Sequence, residues 1–209
     1  MSDATQTESR GASALSSDIA FIRALVEEGR HGASRSGIGV AAGLIWGSTS
    51  LFFWAALAKV VEVPGGIAGA SWAWPSAMAL FAIAGFPLGM YRRGGNRVAG
   101  AAWSAVGWAC LTISAVVGIA AWRLHLGVIV TLLPPIIMAL YGGAWLICAA
   151  AFRTWFLLAV GVLSLLASLL LAYTVAQPVE YLLFALSLYL LGAGPSFVGV
   201  LRSRSTASA

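Results

Sequence analysis

The chain has 209 residues, of which 60% are hydrophobic and 9% are charged, and its mean hydropathy is +0.92. A soluble domain carries roughly a quarter charged residues, so this composition excludes an ordinary soluble core and favours several membrane spans. The net charge of +5 does not indicate nucleic-acid binding, because all twelve basic residues except Lys59 and Arg123 lie in terminal segments or alternate loops. We therefore expect an all-α integral membrane protein.

The N-terminal segment is the main polar part of the chain. Residues 1–15 are rich in Ser, Thr, Ala and Gly and are predicted to be a disordered tail. Residues 16–32 predict a cytoplasmic amphipathic helix, in which Ile19, Ile22 and Val26 share one apolar stripe. A helix of this length is marginal alone in water, so it is expected to rest on the membrane surface or to bind a protein partner.

Six apolar segments follow, and each is long enough to cross a hydrocarbon core about 30 Å thick. The predicted spans are 38–61, 67–91, 98–122, 126–149, 154–176 and 179–200. The fourth and fifth are nearly continuous, so Arg153 between them is expected to mark a tight hairpin turn. The fold class is therefore a bundle of about six transmembrane helices over residues 38–200, followed by a cytoplasmic tail at 201–209.

The basic residues predict the orientation of the bundle. One side of the bundle carries only Lys59, near the end of the first predicted span, and Arg123, just after the third, whereas the other side carries nine basic residues close to the spans. Those nine are Arg23, Arg30, Arg35, Arg92, Arg93, Arg97, Arg153, Arg202 and Arg204. Because Lys and Arg concentrate in cytoplasmic loops, both termini are predicted to be cytoplasmic.

Three glycines of the first predicted span recur every four residues, at Gly39, Gly43 and Gly47. This spacing puts them on one helix face, where the absence of side chains lets another helix approach closely. The pattern is typical of helix packing, and we expect the neighbour to be another span of this chain. A second copy of the chain, in a homo-oligomer, is the alternative.

Pro134 and Pro135 lie in the outer half of the fourth predicted span. Two adjacent prolines remove two helix hydrogen bonds and are expected to push Leu133 toward an extended backbone. The carbonyl groups left free at this depth need other donors. A kink that shapes the bundle is the simpler interpretation, and the broken helix of a transporter's substrate site is the alternative.

Hydroxyl groups lie near the middle of several predicted spans and could line a small uncharged cavity. Together with the two prolines, the candidate ligand-binding residues are Ser48, Thr49, Ser50, Thr112, Ser114, Thr131, Pro134 and Pro135. Hydroxyls in helices more often bond to the carbonyl four residues earlier, which would leave no binding site.

No Asp, Glu, His, Lys or Arg lies at the centre of any predicted span. Proton-coupled transport and most intramembrane catalysis need an ionisable group there, so we expect no catalytic residue, no metal site and no cofactor. The remaining ionisable residues belong to the outer rim and are expected to be solvated loop charges, with an extracellular polar site as the alternative. They are Lys59, Glu62, Arg123, His125 and Glu180.

The tryptophans and tyrosines mostly fall near predicted span ends, where aromatic belts form in membrane proteins. Trp74 and Tyr181 are placed at the outer interface and Trp145 at the inner one. Trp46 and Trp108 lie deeper, and core packing or lipid contact is expected for them rather than ligand stacking.

Three stretches carry a resemblance: DIAFIRALVEEGR with the IWG of the first span, the YGGAW region, and the tail EYLLFALSLYLLGAGPSFVGVLR. Together they resemble small uncharacterised proteobacterial integral membrane proteins. The resemblance implies a bacterial inner-membrane protein of about six spans and brings no activity or site residues.

These patterns favour a non-enzymatic protein of the lipid bilayer. The first hypothesis is an accessory, scaffolding or regulatory subunit that acts through helix packing and through residues 16–32. The alternative is a transporter or substrate-binding membrane component for a neutral small molecule.

Overall fold

The computed structural model describes residues 37–90 and 97–198, and its regular elements there are all helices. Six helical segments in these ranges are long and apolar enough to cross a membrane, so the prediction of an all-α bundle with six helices of membrane-spanning length is confirmed. The tails and the helix predicted at 16–32 lie outside the described residues.

The six spans have the following bounds. The first is α1 (Gly37–Leu57), the second consists of α2 (Gly66–Ser71) and α3 (Ala73–Met90), and the third is α4 (Arg97–Leu124). The fourth joins a 3-10 helix (Gly127–Leu132) to α5 (Leu133–Phe152), and the fifth is α6 (Trp155–Tyr173). The sixth runs from α7 (Pro178–Ser187) through a π-helix (Leu188–Ala193) to a helical end at 194–198.

The first span is shorter than predicted. It ends at Leu57 rather than 61, because the chain turns at Lys59, whose φ of 56° lies in the left-handed region. The hairpin turn predicted between the fourth and fifth spans is confirmed: Arg153 follows α5 with a φ of 51°, and α6 begins two residues later.

α5 and α6 are the most closely packed pair of helices. A Cβ atom placed on Gly142 would lie 2.8 Å from the Leu165 side chain, and one on Gly161 would lie 2.8 Å from Leu146. Neither glycine could carry a side chain without moving its neighbour, so the two helices approach each other through both of them.

The glycine face of α1 packs against the sixth span of the same chain. A Cβ atom on Gly43 would lie 2.7 Å from the backbone nitrogen of Ala193, and one on Gly47 would lie 2.7 Å from the Tyr189 ring. A Cβ atom on Gly39 would collide with the Ser196 side chain. The spacing read from the sequence therefore corresponds to an internal helix contact in the described bundle.

Spans two and three lie at the periphery. α3 packs chiefly against α1, and α4 packs chiefly against α5 and the 3-10 helix. α4 buries only Ala102 and Ala121 among its described side chains, while Trp108 at its middle is 70% exposed. The first, fourth, fifth and sixth spans therefore make up most of the core.

Because successive spans alternate in direction, the loops define two ends of the bundle. We call the end formed by the loop 58–65, His125 and the turn 174–177 the Glu180 end. The opposite end, where α5 meets α6, is called the Arg153 end.

Candidate functional site

The hydroxyls predicted to line a pocket are mostly bonded within their own helices. Thr49 and Ser50 each donate a hydrogen bond of 2.8 Å to the carbonyl oxygen four residues earlier. Thr131 donates to the carbonyl oxygen of Val128 at 2.6 Å. Ser50 is also completely buried. These bonds match the simpler interpretation of the pattern, in which such hydroxyls bond to backbone carbonyls of their own helix and line no binding site.

The remaining predicted hydroxyls lie on two different spans. Ser48 on α1 is 2.9 Å from the hydroxyl of Tyr189 on the sixth span, which links the two helices beside the glycine face. Thr112 is exposed and Ser114 is half-buried on α4, the helix that packs chiefly against α5. Among the described residues, these three side chains make one cross-span hydrogen bond, the one to Tyr189.

Pro134 and Pro135 do not break the fourth span in the way expected. Both are buried and lie in the first turn of α5, where backbone N–H groups have no intrahelical acceptor, so their missing donors cost little. The expectation of an extended Leu133 was wrong, since its φ of −64° and ψ of −46° are helical. The carbonyl oxygen of Pro135 accepts a hydrogen bond of 2.8 Å from Ser168 on α6.

The sixth span widens into a π-helix where it meets α1. The Trp145 indole Nε1–H of α5 donates a hydrogen bond of 3.0 Å to the carbonyl oxygen of Leu191 within this segment. Trp145 is buried and packs edge-on against Trp103, with ring centroids 4.9 Å apart. Trp145 is therefore hydrogen-bonded to the sixth span inside the bundle, although the sequence had predicted an interface position for it.

An aromatic cluster joins the first, second and sixth spans toward the Glu180 end. The ring centroids of Phe53 and Tyr181 are 4.8 Å apart, and Trp74 lies 6.0 Å from Phe53 and 6.4 Å from Tyr181. Trp46 stacks on Trp74 at 6.2 Å. Phe53 and Tyr181 are buried, so Tyr181 belongs to the core rather than to an aromatic belt. Trp46 packs in the core, as expected.

Glu180 is the position at which the structure departs most from expectation. It was expected to be a solvated loop charge, but it is completely buried in the first turn of α7. Its Oε2 atom accepts a hydrogen bond of 3.1 Å from the backbone N–H of Ala176, whose φ is 67°. Its Oε1 atom is buried and has no hydrogen-bond partner among the described residues.

The local sequence explains how Glu180 reaches this position. Gln177 is the N-cap of α7, Pro178 occupies the first helical position, and Glu180 is the third. A Glu at that position commonly turns back to bind a backbone N–H near the cap. The bond to Ala176 is of this kind, and it directs the carboxyl group toward the turn that precedes α7.

The other rim residues differ from Glu180 in their exposure. Lys59, Glu62, Arg123 and His125 are all exposed. In the described ranges no three His, Cys, Asp or Glu side chains are grouped in a way that could hold a metal ion. Glu180 is therefore distinguished from the other rim residues by its burial.

The bundle surface also carries an apolar groove of about 280 Å³ between α6 and the sixth span. Its lining is aliphatic except for Ser187, whose hydroxyl already donates to the carbonyl oxygen of Leu183 at 2.8 Å. Nothing in this groove would orient a polar ligand. It does not coincide with the hydroxyls or prolines predicted from the sequence.

Comparison of the chain with protein-family models, curated proteins and solved structures found no match. By its fold the chain belongs to the broad class of multi-pass helical membrane proteins.

Proposed function

We propose that this chain is a non-enzymatic accessory, scaffolding or regulatory subunit of a bacterial inner-membrane assembly. It acts through helix packing and through residues 16–32, with both termini in the cytoplasm. The orientation is supported by the basic residues, and the bacterial membrane by the resemblance of the two ends of the chain.

The observation that carries the proposal is the unequal packing of the spans. α4 is attached chiefly through α5 and leaves a long apolar face uncovered, with Trp108 70% exposed at its middle. The candidate hydroxyls, in contrast, are largely bonded inside the bundle. The uncovered face of α4 is available for packing against a helix of another protein.

A deletion and a crosslinking experiment together test this function. Deletion of residues 1–32 should release a protein that co-purifies with the full chain from mild detergent. A photoreactive amino acid at Trp108 should crosslink that same protein, while one at Leu163, in the groove between the fifth and sixth spans, should not. The proposal fails if the full chain always purifies alone and the deletion has no effect in the host.

A second candidate is a transporter or substrate-binding component for a neutral small molecule. It is favoured by the composite fourth span, which changes from a 3-10 helix to an α-helix at Leu133, beside the two prolines. Replacing Pro134 and Pro135 by Leu should then abolish uptake of the solute. Unchanged uptake of every candidate solute by that variant would exclude this function.

A further inference from the structure

Glu180 combines three features that together define a site. The side chain has no exposed surface, and its Oε1 atom has no hydrogen-bond partner in the described parts of the chain. Glu180 also lies within a helical segment that is apolar enough to cross a membrane. Ionisable groups in such segments are costly and usually have a function. The backbone bond from Ala176 satisfies only Oε2, so capping does not account for the second oxygen.

The surroundings of Glu180 determine what could bind there. A buried carboxylate with an unpaired oxygen is energetically unfavourable, and the penalty falls when the group gains a proton or a cationic partner. A metal ion or an ammonium group would need space and further oxygen ligands, yet the side chain is completely enclosed and the described residues show no ligand cluster. A proton needs neither extra space nor further oxygen ligands.

Among the described residues, the charged and titratable side chains of the neighbouring elements supply no counter-ion. α1 and α3 carry none, and Tyr181 on α7 packs its ring against Phe53. The nearest loop and helix end carry Lys59, Glu62 and Tyr173, and all three are exposed. The others on packed elements are Tyr141 and Cys148 of α5 and Tyr189 of the π-helix, which lie further along their spans.

We propose that Glu180 is a proton-binding site enclosed at the Glu180 end of the bundle, between the turn that precedes α7 and the aromatic cluster. The proton occupies Oε1, while Oε2 keeps the bond to Ala176. Binding and release of this proton alter the charge beside Tyr181, at the contact that joins the first and sixth spans. This site does not depend on the accessory role proposed above.

Infrared spectroscopy of the purified full chain in lipid nanodiscs tests this site. At neutral pH we expect the C=O stretch of a protonated carboxyl group, lost in Glu180→Gln and retained in Glu62→Gln, whose side chain is exposed. A pH series should show this band disappearing in a step of one proton per chain.

The second measurement covers the case in which Glu180→Gln does not fold. Glutamate labelled with carbon-13 at its carboxyl is introduced into a full chain with Glu8, Glu27, Glu28 and Glu62 replaced by Gln, which leaves Glu180 as the single Glu. The same band should then shift by the isotope effect. The proposal is overturned if the band is absent between about pH 5 and 9, the range in which buried carboxyls titrate, or if it does not shift.

Discussion

Gly43 offers a direct test of the contact between α1 and the sixth span. A Cβ atom on Gly43 would lie 2.7 Å from both the Cβ and the backbone nitrogen of Ala193, and 3.0 Å from its Cα. Ordinary carbon contacts are about 3.5–4.0 Å, so Gly43→Ala would force the two spans apart by about 1 Å. Because two of these three atoms belong to the backbone, no side-chain rotation relieves the clash.

We expect Gly43→Ala to lower the free energy of unfolding by about 1–3 kcal/mol, the usual cost of overpacking. Gly107→Ala is the matched control, because a Cβ atom at Gly107 on α4 would meet nothing within 4 Å. That substitution should be neutral or stabilise by up to about 1 kcal/mol, since Ala is the better helix former. Reversible unfolding in mixed detergent micelles measures both values. Equal stability of the two variants would refute the packing argument.

Three further predictions concern two hydrogen bonds and the orientation of the chain in the membrane. Trp145→Phe should cost about 1–3 kcal/mol, because it removes the hydrogen bond to the carbonyl oxygen of Leu191 and part of a buried ring, and it should speed amide hydrogen exchange in the sixth span. Ser168→Ala should cost about 0.6–1.5 kcal/mol through loss of the bond to Pro135, as measured by the same unfolding assay. A cysteine introduced at Lys59 should react with an impermeant maleimide added outside intact cells, since the proposed orientation, with both termini in the cytoplasm, puts that loop outside.

Each of these predictions has a control in the same chain. Trp155→Phe should leave stability unchanged, because Trp155 is 84% exposed. Ser76→Ala removes a bond within one exposed helix turn and should cost less than Ser168→Ala. A cysteine at Arg153 should react only after the cells are opened. Reaction at Arg153 in intact cells would contradict the orientation.

The number of spans could be predicted because it depends on local composition. Long runs without charge can lie in a membrane only as helices, and a short charged turn such as that at Arg153 separates two of them. The glycine spacing at Gly39, Gly43 and Gly47 likewise predicted a close contact, since it depends on one helix face. The partner of that face, the sixth span, could not be read from the spacing.

The burial of Glu180 could not be predicted from its neighbours in sequence. The segment Gln177–Glu180 signals a helix start, and a Glu there is usually solvated. Its enclosure depends on the tertiary fold, as does that of Tyr181, whose ring packs against Phe53 from the first span. The same limit applies to Trp145, since nothing local indicates that its indole would bind the carbonyl oxygen of Leu191.

The contact between α1 and the sixth span also has a consequence for biogenesis. Ser48 and Tyr189, which are hydrogen-bonded across this contact, lie 141 residues apart in the chain. At about 5–20 residues per second, the ribosome needs about 7–28 s to synthesise the residues between them. During that interval the glycine face of α1 lies in the membrane without its native partner, the sixth span. An insertase or chaperone that covers this face would protect the nascent chain from incorrect helix pairing.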